Sequence, residues 1–274
     1  MNRYVLLPVV LVAMSACGAP ASGAGDAAAT ARPASDATPA TKPKPATAPP
    51  RSGKAVSFKE GADGDSWFFS YSWPAQANAI APLDALLKAR KDKVRAEVRA
   101  DWQAAKTDCP PVSGACTNRS YEEDWQVVAD LPDWLSLSSA IGTYSGGAHG
   151  NHGFDALLWD KRAGKARAVT DLFASKGAFN DAVRAEFCAA LNKERAQRRE
   201  GEALELFEDC FDPTDAVVIL GSSNGKDFDR IGFLIAPYLA GPYVEGDYEV
   251  TLPVTAKVLA QVKPQYRASF VTAK

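Results

Sequence analysis

The sequence predicts an α+β fold with largely antiparallel sheets and two long amphipathic helices. Three observations predict it. Several short stretches alternate apolar and polar residues, and Trp67, Phe69, Tyr71 and Trp73 form the plainest of them. Two longer stretches carry apolar residues at helical spacing: Leu83, Leu87, Val94, Val98 and Trp102 in one, Phe179, Val183, Phe187 and Leu191 in the other. The stretches come in blocks of two strands, helix, four strands, helix and three strands, an order that favours antiparallel sheets over a wound parallel one.

Taken in order, Val56 to Glu60 and Ser66 to Trp73 read as strands around an Asp63-Gly64 turn, and Pro74 ends the second. Pro82 suits the first turn of a helix that runs to about Trp102. Lysines and arginines on this helix are interleaved with acidic residues, as on a solvated face. Tyr121 to Leu131 and Leu135 to Tyr144 read as long strands broken by Pro132-Asp133. Phe154 to Asp160 and Arg167 to Val169 form a hairpin around Ala163-Gly164, and Thr170 to Phe173 begins a helical region. The second long helix spans about Phe179 to Arg199. Ala216 to Leu220, Arg230 to Ala236 and Asp247 to Leu252 are strands, and a short helix covers Thr255 to Val262.

Ahead of these elements, Asn2 and Arg3 precede an apolar run from Tyr4 to Ala13, the length of a signal h-region and too short to span a bilayer as a mature helix. Met14-Ser15-Ala16-Cys17 resembles the lipobox of bacterial lipoproteins, which implies a signal peptide over 1–16 and acylation (palmitate among the chains) at Cys17. Gly18, where an Asp would resemble an inner-membrane retention signal, favours the outer membrane, facing the periplasm. Residues 17–54 read as the lipidated cysteine and a disordered Ala/Pro-rich tether without aromatics. As a flexible coil its ends would lie roughly 35 Å apart. The expected division of the remainder is an N-terminal α+β module over 55–134 and a C-terminal α+β domain over 135–274.

With 31 Lys and Arg against 33 Asp and Glu, there is no basic excess to neutralise phosphates, so nucleic acid is not an expected partner. No other segment is long and apolar enough to be transmembrane. Besides Cys17 there are Cys109, Cys116, Cys188 and Cys210, which allow three pairings. The expected one is Cys109–Cys116, closing a loop with Pro110, Pro111 and Gly114, and Cys188–Cys210. An oxidising periplasm favours disulfides, and no spacing supports zinc.

The corner Tyr144-Ser145-Gly146-Gly147-Ala148-His149 precedes the strand Phe154–Asp160, the Gly164 turn and Asp171-Leu172-Phe173. Later come Phe233 to Tyr238, Ala240-Gly241-Pro242-Tyr243 and Tyr248 to Pro253. This order resembles the extracellular domain shared by a lysozyme-sensing anti-sigma factor and the non-catalytic part of a peptidoglycan deacetylase. The likeness covers about 135–262, and about 55–134 is similar to the small module that stands before that domain. The resemblance implies a binding module at the cell envelope, with lysozyme or peptidoglycan as the partner. Neither sigma-factor regulation nor deacetylation transfers, because nothing here resembles the parts that carry them.

Both histidines of the chain sit in the glycine-rich corner, so Tyr144, His149, Asn151 and His152 form a candidate binding loop. His149 and His152 would need a third metal ligand, for which Asp155 is the nearest carboxylate. A hydrolytic set of Ser145, His149 and Asp155 lacks a proper nucleophile elbow, since Thr143 replaces its first glycine. No metal, cofactor or catalytic residue is expected. Glu200, Glu202, Glu205, Glu208, Asp209 and Asp212 form a candidate acidic patch that would steer a cationic protein such as lysozyme. Tyr238 and Tyr243 flank Gly241-Pro242 in a turn suited to stacking on a ligand. The function expected is that of a lipid-anchored periplasmic binding protein. The alternatives are a hydrolase of envelope material using carboxylates not placed by sequence, and a structural envelope lipoprotein.

Overall fold

The computed structural model describes residues 54–61, 66–110, 113–202 and 204–273. The expected signal peptide, Cys17, the tether up to residue 53 and the Asp63-Gly64 turn lie outside the described residues.

The expected α+β fold is present. A six-stranded sheet carries β1 (Val56–Glu60), β2 (Trp67–Trp73), β3 (Arg119–Asp130), β4 (Trp134–Tyr144), β5 (Asn151–Asp160) and β6 (Lys165–Arg167) in that spatial order. Between β2 and β3 come α1 (Ala75–Asn78), α2 (Ala81–Asp108) and α3 (Gly114–Thr117). α4 (Lys176–Arg198) follows, then a three-stranded sheet of β7 (Val217–Gly221), β8 (Arg230–Ile235) and β9 (Tyr248–Pro253), and α5 (Ala256–Gln261).

Among these strands every pairing is antiparallel except β2 with β3, which run parallel. A parallel pair needs a crossover, and α2 provides it. The helix runs past Trp102 to Asp108, so it returns the chain to the starting end of β2. The expected division at 134/135 coincides with the start of β4, which pairs with β3 from Trp134's neighbour Leu135 to Tyr144, so strands from both segments share one sheet.

Alternation places Phe69, Tyr71 and Trp73 of β2 on the same face as Tyr121 and Trp125, Leu135 and Leu137, and Leu157 and Trp159. Leu83 and Leu87 of α2 cover that face and are fully buried. Further along the helix, Val94, Val98 and Trp102 pack against the rim of the same core. The second core lies around α4, whose Phe179, Val183, Phe187 and Leu191 are all buried, as their spacing of four requires. Phe187 meets Phe233 of β8 at 4.9 Å between ring centroids. Ser175 caps α4 by accepting the Ala178 N–H.

Both expected cysteine pairs are present. Cys109–Cys116 joins the end of α2 to α3 with a Cα separation of 5.8 Å, and Cys188–Cys210 ties α4 to the loop after it at 5.6 Å. Among the described residues no helix is long and apolar enough to cross a membrane.

Candidate functional site

The turn between β4 and β5 is tighter than sequence alone indicates. β5 starts at Asn151, three residues earlier than expected, with His152 paired to Gly142. The irregular part is therefore only 145–150. Gly146 has φ +95°, and a Cβ there would come within 3.0 Å of the Ala115 carbonyl oxygen. At Gly150 a Cβ would meet the Thr143 carbonyl at 2.8 Å. These two positions demand glycine because backbone from another segment occupies the side-chain space.

α3 supports the loop. The Gly147 N–H donates to the Ala115 carbonyl at 2.8 Å. The Tyr144 hydroxyl lies 2.8 Å from the Gly147 carbonyl and 3.3 Å from that of Ala115. The Cys109–Cys116 bond holds α3 in place, so a disulfide stands behind the histidine loop.

On the other side the loop meets the 238–245 turn. The His149 ring stacks on Tyr243 at 4.1 Å with the planes 27° apart, while its Nδ1 contacts the Gly150 carbonyl at 2.8 Å. His152 lies 5.9 Å and Tyr238 5.7 Å from the same Tyr243 ring. Tyr243 is thus the centre of an aromatic platform assembled from two loops that the sequence offers separately. Tyr238 is held at φ +71°, a left-handed conformation that costs a non-glycine residue about 1–2 kcal/mol. It remains 54% exposed, so burial does not compensate this cost.

Asp155 faces away from the platform. Residues alternate along β5, and Asp155 pairs with Arg90 of α2 at 2.9 Å, on the sheet face opposite His152. Neither the His149, His152 and Asp155 metal set nor the Ser145, His149 and Asp155 hydrolytic set is assembled. Asn151 is exposed at the first position of β5.

The acidic stretch wraps the end of α4. Glu200, Glu202, Glu205, Glu208 and Asp209 are exposed, and Glu200 takes a positive φ where the helix stops. Asp212 is different: its carboxylate accepts from the Thr214 hydroxyl and N–H and caps the turn at Pro213–Asp215. The Thr214 hydroxyl holds that carboxyl below its ordinary pKa. It serves as a structural cap and does not belong to the free patch.

Two arginines that sequence reading passed over organise the region. Buried Arg195 donates from Nε to the Ala240 carbonyl at 2.9 Å and from Nη1 to the Glu208 and Asp209 carbonyls. Burial pushes its pKa down. Arg199 grips Glu245 with two hydrogen bonds of 2.8 and 2.9 Å and also reaches the Ala240 and Phe207 carbonyls. The pairing raises the Arg199 pKa and lowers that of Glu245, which also accepts from the Tyr248 hydroxyl. A Cβ at Gly241 would collide with the Glu245 carboxylate, so a side chain there would displace Glu245 from its pairing with Arg199. Arg195 and Arg199 together bind the acidic loop to the platform turn.

The result is an uneven surface. The exposed large hydrophobic residues among those described are Leu204, Leu206, Tyr238 and Val244, with Leu206 at 91% and Val244 at 90% exposure. All four sit on the two segments that Arg199 joins. Their neighbours are the exposed glutamates and the His149–Tyr243 stack. Among the described residues no cluster of three or more His, Cys, Asp or Glu is suited to a metal ion.

The molecule is thus an α+β protein with one apolar and acidic surface built from loops. No protein-family model matches the chain, and no curated protein matches it. Two crystal structures are similar at a distance. A DUF3298 family protein from Pseudomonas aeruginosa PAO1 is 17% identical, with a TM-score of 0.44 over 80% of this chain and 95% of that one. A DUF3298 family member from Bacteroides fragilis NCTC 9343 is 13% identical, with a TM-score of 0.41 over 78% and 93%. Likenesses this distant assign neither an activity nor a partner.

Proposed function

We propose that this chain is a lipid-anchored binding protein of the cell envelope, tethered through Cys17 and facing the periplasm from the outer membrane. Its recognition surface is the platform of His149, His152, Tyr238 and Tyr243 together with the acidic loop around Leu206, and its partner is a cationic, lysozyme-like enzyme. The observation that carries this reading is the confinement of the exposed large hydrophobics to two adjoining, arginine-locked segments, one of them flanked by the exposed Glu200, Glu202, Glu205 and Glu208. Apolar and tyrosine side chains beside an acidic loop suit a protein whose complementary surface is basic. The resemblance to a lysozyme-sensing domain supports the same partner, and the lipobox-like sequence at Cys17 supports the anchor.

The test is a calorimetric titration of lysozyme into fragment 52–274 at two salt concentrations. Saturable binding that weakens with salt is expected. Absence of binding well above micromolar protein concentration removes the lysozyme reading. A second reading, peptidoglycan sugar rings stacked on the platform, rests on the exposed His149–Tyr243 stack, and soluble muropeptides added to the same fragment test it.

A further inference from the structure

A second place on the molecule departs from what folding alone requires. On the sheet face that α2 covers, an open cleft of about 250 Å³ lies between Tyr71, Tyr121, Glu123, Ile141 and Asp155 of the sheet and Arg90, Lys93, Val94 and Glu97 of the helix. It lies on the opposite face of β5 from His152. Glu123 forms part of its floor and is only 6% exposed.

The charges of the cleft are settled except at Glu123. Arg90 pairs with Asp155 at 2.9 Å and lies over the Trp125 ring, while Lys93 faces Glu97 at 3.8 Å. Glu123 accepts a hydrogen bond from the Tyr121 hydroxyl at 2.5 Å, and the cation acting on it is Arg90, which is paired with Asp155. Burial raises its pKa, outweighing the Tyr121 and Ser139 hydroxyls, which lower it. Ser139 is 1% exposed, and its hydroxyl has no hydrogen-bond partner. It is the nearest further donor that the Glu123 charge could use. A buried carboxyl whose neighbouring cation is already paired elsewhere costs free energy, an apolar residue at position 123 would serve the core better, and departures of this kind gather at functional positions.

We propose that this cleft binds a compact primary amine, an ammonium group on a ring or short chain no larger than a monosaccharide, with Glu123 as its counter-charge and the Tyr121 hydroxyl oxygen as a hydrogen-bond acceptor. An ammonium group brings three donors and no acceptor, and the cleft offers it the Glu123 carboxylate and the Tyr121 phenolic oxygen, while Tyr71 is fully buried behind them with its oxygen bonded to the Trp125 Nε1–H at 2.9 Å. Anions are disfavoured, because three carboxylates border the cleft against two cations that are already paired.

The test is titration of glucosamine and of 1,5-diaminopentane into the full chain, read by calorimetry and by Trp fluorescence, with glucose as the uncharged control. Both amines are expected to bind saturably in the millimolar range and glucose is not. Glu123→Gln keeps the Tyr121 hydrogen bond and is expected to weaken amine binding by about tenfold to a hundredfold, the worth of a charge-assisted hydrogen bond. Ile141→Trp, which fills the mouth, is expected to abolish binding with the circular dichroism spectrum unchanged. In the unsubstituted chain, diaminopentane affinity is expected to fall as pH drops through the raised Glu123 value. The other titratable and charged groups facing Glu123 are Tyr71, Tyr121, Asp155, Arg90, Lys93 and Glu97, so Glu97→Gln must leave this pH dependence in place. The proposal is overturned if neither amine binds, if glucose binds as well as glucosamine, or if Glu123→Gln binds within twofold of the parent chain.

Discussion

Replacing Cys109 and Cys116 together by Ser tests whether the histidine loop depends on the disulfide behind it. The two cysteines are seven residues apart. For a closed loop of about eight residues, the chain-entropy relation gives about 2.5 kcal/mol of stability at 25 °C. The local consequence should be larger than the global one. Ala115 sits inside the closed loop, and its carbonyl accepts from the Gly147 N–H and contacts the Tyr144 hydroxyl. Without the bond α3 loses its tie to α2, and the Gly147 amide loses a fixed acceptor. Urea unfolding should show a lower midpoint, with a slope no smaller than the parent's because the unfolded chain loses a constraint. Hydrogen exchange at Gly147 should accelerate by more than that at β8 amides, which lie in the other core. Binding through the platform should weaken, because His149 then stacks on Tyr243 from a looser loop. If the midpoint falls but Gly147 exchanges no faster than β8, the disulfide is not what holds the loop, and the buttressing argument fails.

Tyr238→Gly removes a left-handed non-glycine residue and should raise stability by up to about 1 kcal/mol, while partner binding falls; thermal unfolding and calorimetry read the two effects separately. A loss of stability would mean that the Tyr238–Tyr243 contact outweighs the strain. Glu205→Lys with Glu208→Lys should slow association with lysozyme and reduce its salt dependence while leaving the melting temperature within about 2 °C. Equal salt slopes for the variant and the parent would remove the acidic loop from the interface. Glu123→Gln should change how stability depends on pH. The folded pKa of Glu123 lies above the ordinary 4.5, so the native state holds this proton more tightly than the unfolded one. The stability this contributes is complete below the ordinary value and is lost as pH rises through the folded value. The Gln variant should lack that loss and gain on the parent across the window, as urea midpoints at a series of pH values would show; parallel curves would mean that Glu123 is not buried in the way described.

The parts legible in the sequence are those set by local periodicity. Phe179, Val183, Phe187 and Leu191 identify the buried face of α4 by spacing alone, and the alternation of Trp67, Phe69, Tyr71 and Trp73 marks the face of β2 that α2 covers. The cysteine pairs are legible for a similar reason, since turn formers beside Cys109 and Cys116 shorten the distance to be closed. The parallel pairing of β2 with β3 is not legible, because neighbouring strand signals read as hairpins and do not show that a 28-residue helix runs back along the sheet. Arg195 and Arg199 look like ordinary arginines at the end of a helix. Their roles depend on carbonyls and a carboxylate about 45 residues further on, and no local pattern encodes such a pairing. Glu123 was equally hidden: on β3 it follows Glu122 and precedes Asp124, and only the helix lying over its face separates a buried carboxyl from two outward ones.

The same dependence on distant partners shows how these loops are held, and it bears on the proposed recognition. Leu206 and Val244 are almost fully exposed, and exposed apolar side chains on mobile loops would pay ordering entropy on every encounter. Here that entropy is largely spent on folding. Arg199 fixes the Phe207 and Ala240 carbonyls and the Glu245 carboxylate at once, Arg195 fixes the Glu208, Asp209 and Ala240 carbonyls, and Cys210 is bonded to α4. Each anchor starts from α4 or the residue that caps it, and Arg195 continues the row of Phe179, Val183, Phe187 and Leu191 that is buried in the larger core. The loops are therefore tied to that core, and a partner of the proposed kind would gain contacts without first having to order them.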